Sequence, residues 1–135
     1  FSSNPAETFL LTWDDRIDVK DFDVLFNKRK LGLLEPIELL VLSACQTASG
    51  DKRATLGLAG LALRSGAHST LASLWSVNDQ STADLMSEFY RQLIGANQSM
   101  TKAEALRQAQ LTLLHNPLYK HPYFWASFVL VGNWL

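Results

Sequence analysis

Cys45 is the one cysteine in the chain, and it stands directly after residues 39–44, LLVLSA, an apolar run broken only by Ser43. A short apolar run bounded by turn formers fits a strand buried on both faces, as in a parallel sheet. Ligands and chemistry gather at the carboxyl ends of such strands, and Cys45 stands at one. Two readings of it are open. A lone cysteine is commonly a small buried hydrophobe. It is a nucleophile where a nearby base holds it as the thiolate. Three histidines are available, and none is well placed as that base. His68 precedes the next apolar run, which puts it at the opposite edge of a parallel sheet. His115 falls at a helix end, where a positive imidazole suits the helix dipole. His121 falls in an aromatic connector. No pair among Cys and His has metal-ligand spacing, so no metal is expected.

Asp79 is the second residue of interest. It follows the apolar run ending at Trp75 and is therefore expected at the same sheet edge as Cys45. It is either a helix cap, a role Asn78 would fill equally well, or an acidic group that pairs with a basic substrate. Trp75 is either core or pocket wall. Other chemistries lack their residues. There is no phosphate-binding glycine loop and no Gly-x-Ser-x-Gly elbow. Asp14 and Asp15 are neighbours in a turn and point apart, which does not serve a glycosidase.

The elements that must hold these groups follow from the same pattern. Residues 8–13 read as a short strand, with Arg16 and Ile17 starting a return strand. Asp18 suits the cap of a helix over 19–27, with Phe22 and Phe26 on one face. Lys28, Arg29 and Lys30 read as a basic helix end rather than a binding patch. Residues 56–64 read as a helix whose Gly57 and Gly60 leave one face bare, as close packing would require, with Ser65-Gly66 as its C-cap. Residues 69–75 read as a second buried strand. A helix follows over 81–94, with Met86, Phe89 and Leu93 inward. Thr101 and Glu104 have capping-box spacing and open a helix to about Leu114, with Ala103, Leu106, Ala109 and Leu113 inward. Asn116-Pro117 ends it. Residues 128–131 are a last buried strand, ended by Gly132. Strands alternating with helices give an α/β layer fold with a mostly parallel sheet.

The 135 residues suit one domain, and the formal net charge of −1 gives no reason to expect nucleic acid or an acidic membrane as partner. No apolar run approaches the ~18 residues of a membrane span. A single cysteine has no internal disulfide partner, so a reducing cytoplasm is the expected setting. The chain opens on Phe1 without an initiator Met, so it is expected to be a piece of something longer.

Four stretches together carry a family resemblance: LVLSACQT (40–47), GLAGLALRSGAHSTLASLWSVND (57–79), MTKAEALRQAQ (100–110) and HPYFWASFVLVGNW (121–134). In this order and spacing they resemble the CHAT domain, a caspase-like domain often found after tetratricopeptide (TPR) repeats. The resemblance covers nearly the whole chain. It implies a caspase-like three-layer αβα sandwich and a cysteine endopeptidase with a His-Cys dyad, acting on peptide or protein substrates without a cofactor. The cysteine of the family's Ser-Ala-Cys motif falls on Cys45. The family's histidine lies in an upstream motif ending in His-Gly. Residues from Phe1 onward resemble the segment after that motif, so the chain is expected to be the C-terminal part of a single domain, without its N-terminal strands and its base. Asp79 matches an acidic position that in the related separases receives a basic P1 side chain. Expected partners are therefore attached TPR-type repeats or the N-terminal part of the same domain. The rival expectation is an inactive CHAT-like interaction or regulatory module attached to repeats.

Overall fold

The computed structural model describes residues 9–11, 16–18, 21, 24, 35–43, 59–60, 62–64, 66–95 and 100–135. Two short strands, β1 (Phe9–Leu11) and β2 (Arg16–Asp18), pair antiparallel with Phe9 opposite Asp18. The expected return strand is thus present, and Asp18 is its last residue. Of the helix read over 19–27, Asp21 and Val24 are described, and both are helical.

The second sheet carries the core. Its strands are β3 (Leu40–Leu42), β4 (Ser69–Ser73) and β5 (Phe128–Gly132), in the order β3-β4-β5. β3 and β4 run parallel, with Val41 opposite Leu71. β5 runs antiparallel to β4, with Leu130 opposite Leu71 and Phe128 opposite Ser73. The described sheet is therefore mixed, not mostly parallel as the alternation of elements suggested. β4 is buried along its whole length, because side chains on both of its faces are covered. β3 is only half-buried, against the expectation of a strand buried on both faces. Among the described strands it has a neighbour on one side alone.

Alternation along the strands assigns the faces. Val41, Leu71, Leu130 and Phe128 project to one side and join a single apolar cluster. Two helices complete that cluster, α1 (Asp79–Ile94) with Leu85 and Phe89, and α2 (Lys102–His115) with Ala105, Leu106, Ala109 and Leu113. Met86 and Leu93 reach it partly, as their spacing suggested, while Leu85 rather than either of them is fully buried. Ala103, expected inward on α2, is half-buried; Ala105 takes the buried position. Among the described residues, no helix is long and apolar enough to cross a membrane.

Helix ends follow their sequence signals. Thr101 caps α2 by accepting from the backbone N–H of Glu104 at 3.2 Å. The reciprocal half of a capping box is not made. Glu104 instead turns along the helix and accepts from Arg107 and Gln108. The Arg107 hydrogen bonds, helped by Gln108, hold the Glu104 carboxyl at about 2, down from 4.5. A lowered folded value means the pair favours the folded state above about pH 4.5, a contribution lost as pH falls toward 2. Carbon-detected NMR titration is expected to give a Glu104 midpoint near 2 and an upward move toward 4.5 in Arg107→Ala. A wild-type midpoint near 4.5 would show that this exposed pair does not persist in solution.

Residues 62–64 end in a Schellman turn: Gly66 donates to Leu63 O at 3.1 Å and Ala67 to Ala62 O at 3.0 Å. Gly66 has φ +111°, the left-handed conformation that such a turn requires. Gly60 departs from expectation. Among the described residues, a Cβ there would meet nothing within 4 Å, so none of them makes the close approach expected at that glycine. Gly57 lies outside the described residues.

Candidate functional site

The parallel pairing of β3 and β4 sends the chain out of both strands at the same edge of the sheet. Past β3 the chain runs through Ser43 toward Cys45, which lies outside the described residues. Past β4 it runs through Trp75 to Asn78 and the start of α1. The antiparallel β5 adds a third segment. Because Phe128 pairs with Ser73 at the carboxyl end of β4, the connector leading into β5 arrives at that edge as well. Leu74 N–H donates to Ser127 O at 2.8 Å and fixes this meeting point.

Trp75 is half-buried and packs against the apolar cluster. Its indole N–H donates to Tyr123 O at 3.2 Å. Its ring therefore lies on the core, as one of the two readings had it, and its polar edge lies on the connector. The connector holds a short 3₁₀ helix, Pro122–Phe124, capped by His121, whose Nδ1 accepts from Tyr123 N–H at 3.1 Å. Gln110 of α2 anchors the far side, donating to Trp125 O at 3.2 Å and to Phe128 O at 3.3 Å.

Asn78, not Asp79, is the cap of α1. Its Oδ1 accepts from Ser81 N–H at 3.0 Å, and its carbonyl accepts from Thr82 N–H at 2.9 Å. Asp79 is the first helical residue and is exposed. A carboxylate in a first helical turn is favoured by the dipole, and it is not needed there for capping.

The histidines are dispersed. His68 lies at the opposite edge, as expected, with Nδ1 2.9 Å from Glu38 Oε1. Its carbonyl accepts from Asn133 N–H at 2.8 Å, which ties the C-terminal segment to that end. Gly132 (φ +100°) sits against the His68 carbonyl, and any Cβ there would collide with it. His115 is the last residue of α2 and is exposed. Among the described residues, no group of three or more His, Cys, Asp and Glu is placed to hold a metal ion. The feature that sequence reasoning passed over is Tyr123. Its signal was the aromatic density of residues 121–125, read there only as a connector.

Comparison with known proteins bears on what this arrangement is. Tetratricopeptide repeat protein 28 of Homo sapiens is 29 % identical over 105 residues, covering 76 % of this chain and 4 % of that protein. The Mus musculus protein of the same name is 33 % identical over 107 residues, again 76 % of this chain and 4 % of that protein. The chain thus spans only a small fraction of these relatives. No solved structure matches it significantly. The profile of the CHAT domain matches residues 1–133, from before β1 to the end of β5 and all of the edge described above. On that match, the chain belongs to the CHAT domain family.

Proposed function

We propose that this chain is the nucleophile-bearing part of a cysteine endopeptidase domain that cleaves after basic residues, carried by a longer, cytoplasmic protein with TPR-type repeats. One observation carries the reading. In a member of the CHAT family, β3 and β4 run parallel, so the segments holding Cys45 and Asp79 leave the sheet at one edge. In this reading the Cys45 thiolate attacks the scissile carbonyl carbon. The resulting tetrahedral intermediate collapses to a thioester and expels the amine, which takes a proton from the histidine of the upstream His-Gly motif. Water, deprotonated by the same histidine, then hydrolyses the thioester and regenerates the thiol. Asp79 pairs with the Arg or Lys at P1, and Trp75 forms a wall of the pocket.

The test uses the full-length protein and a peptidyl acyloxymethyl ketone with Arg at P1. Mass spectrometry is expected to find the adduct on Cys45. Asp79→Ala is expected to slow that labelling about 10- to 100-fold, the range for losing a hydrogen bond to a charged group. Alkylation by iodoacetamide, which has no P1 side chain, is expected to keep its rate. Equal labelling of Asp79→Ala and wild type would remove Asp79 from the site. Failure of every peptidyl probe to label Cys45 would favour a non-catalytic interaction module, the rival reading.

A further inference from the structure

The connector before β5 is held more firmly than a surface loop requires. Its carbonyls are fixed from two sides, Tyr123 O by Trp75 and Trp125 O by Gln110. Its rings make a run of edge-on and tilted contacts. Tyr123 meets Phe124 edge-on, with centroids 5.3 Å apart at 80°, and Phe124 meets Tyr119 at 5.5 Å. Tyr119 is itself tied to α1. Its hydroxyl donates to Asp84 Oδ2 at 2.8 Å, and Asp84 Oδ1 accepts from Gln80 at 3.0 Å. The bond to the Asp84 carboxylate raises the Tyr119 hydroxyl above its ordinary value. The chain of contacts thus runs from the first turn of α1, which Asp79 opens, back to Tyr123.

Among the described residues, Trp125 Nε1 and Ser127 Oγ are buried without a hydrogen-bond partner, as are Thr70 Oγ1 of β4 and Thr82 Oγ1 of α1. At the end of this braced segment the Tyr123 side chain remains 40 % exposed. An aromatic ring held rigid and left open to solvent suits recognition, because little conformational entropy is lost on contact.

Resting on the peptidase reading above, we propose that Tyr123 is a specificity-determining residue. Its ring forms an aromatic wall beside Trp75 and contacts a substrate side chain flanking P1, favouring an apolar or aromatic one. Trp75 acts on this contact as a positioning residue, through its hydrogen bond to the Tyr123 carbonyl.

The experiment uses the full-length protein and a fluorogenic peptide library with Arg or Ala at P1 and the flanking positions varied. Wild type is expected to prefer apolar or aromatic residues at one flanking position. Tyr123→Ala is expected to lose that preference and about tenfold in kcat/KM on the preferred peptides, chiefly through KM, with the Arg-over-Ala ratio at P1 unchanged. Tyr123→Phe is expected to retain both, and Tyr123→Leu to give an intermediate result if the alanine variant does not fold. Trp75→Phe, which keeps a ring and removes the N–H, is expected to blur the flanking preference in the same direction as Tyr123→Ala. Cleavage by Tyr123→Ala or Tyr123→Leu with wild-type flanking ratios would overturn the assignment and leave the peptidase reading standing. Absence of Cys45-dependent cleavage by the wild type would overturn both.

Discussion

Replacing Cys45 by alanine in the full-length protein is expected to lower peptide cleavage on the order of 10⁶-fold, to assay background, the scale seen when a catalytic nucleophile is removed. A methyl group has no lone pair with which to attack a carbonyl, and this chain has no second cysteine to substitute for it. Cys45→Ser is expected to remain far below wild type, because a serine hydroxyl is a much weaker nucleophile at its free pKa. Peptide affinity, measured by fluorescence anisotropy, is expected to stay close to wild type in Cys45→Ala, since Asp79, Trp75 and Tyr123 are untouched. This pattern separates loss of chemistry from loss of binding. Substantial cleavage by Cys45→Ala would mean that Cys45 is not the nucleophile.

Phe89→Ala is expected to destabilise the fold by about 3–5 kcal/mol, the range for removing a fully buried phenylalanine. Phe89 is completely buried on α1, in the cluster that joins Leu71 of β4 to Leu106 and Ala109 of α2. Interiors are close-packed, so the neighbouring side chains cannot collapse fully into the space the ring leaves. A domain has only about 5–15 kcal/mol of stability in total, so the expected fall in melting temperature is on the order of 10 °C. The adjacent Tyr90 is a control of similar size, at 40 % exposure. Tyr90→Ala is expected to cost less than about 1 kcal/mol. Equal losses at the two positions would show that α1 does not present the face described.

Much of the secondary structure was legible in the sequence. The apolar runs read at 39–44, 69–75 and 128–131 contain or coincide with the strands Leu40–Leu42, Ser69–Ser73 and Phe128–Gly132, because a short run bounded by turn formers has few other places to go. Thr101 caps α2 and the Schellman turn falls at Gly66, because these signals act within one helical turn of their own residue. Asp79 and Trp75 were legible as candidates by their position after the second strand. The choice of cap was not. Asn78 and Asp79 are both good caps, and only the backbone conformation at the helix start shows that Asn78 accepts the first N–H.

Strand direction was the larger matter beyond reach. An apolar run such as FVLV reads alike in either orientation, and alternation with helices favoured a mostly parallel sheet. Only the tertiary structure decided that β5 returns antiparallel beside β4, with Phe128 opposite Ser73. That one choice brings residues 121–127 to the edge where the segments after β3 and β4 emerge, and so sets Tyr123 against Trp75. The sequence by itself determined which residue types are available for chemistry and many of the local elements around them, since both follow from residue type and short-range spacing. The meeting of Trp75 with Tyr123, 48 residues apart, depends on hydrogen-bond pairing between distant strands and on the common core beneath them, which no local pattern encodes.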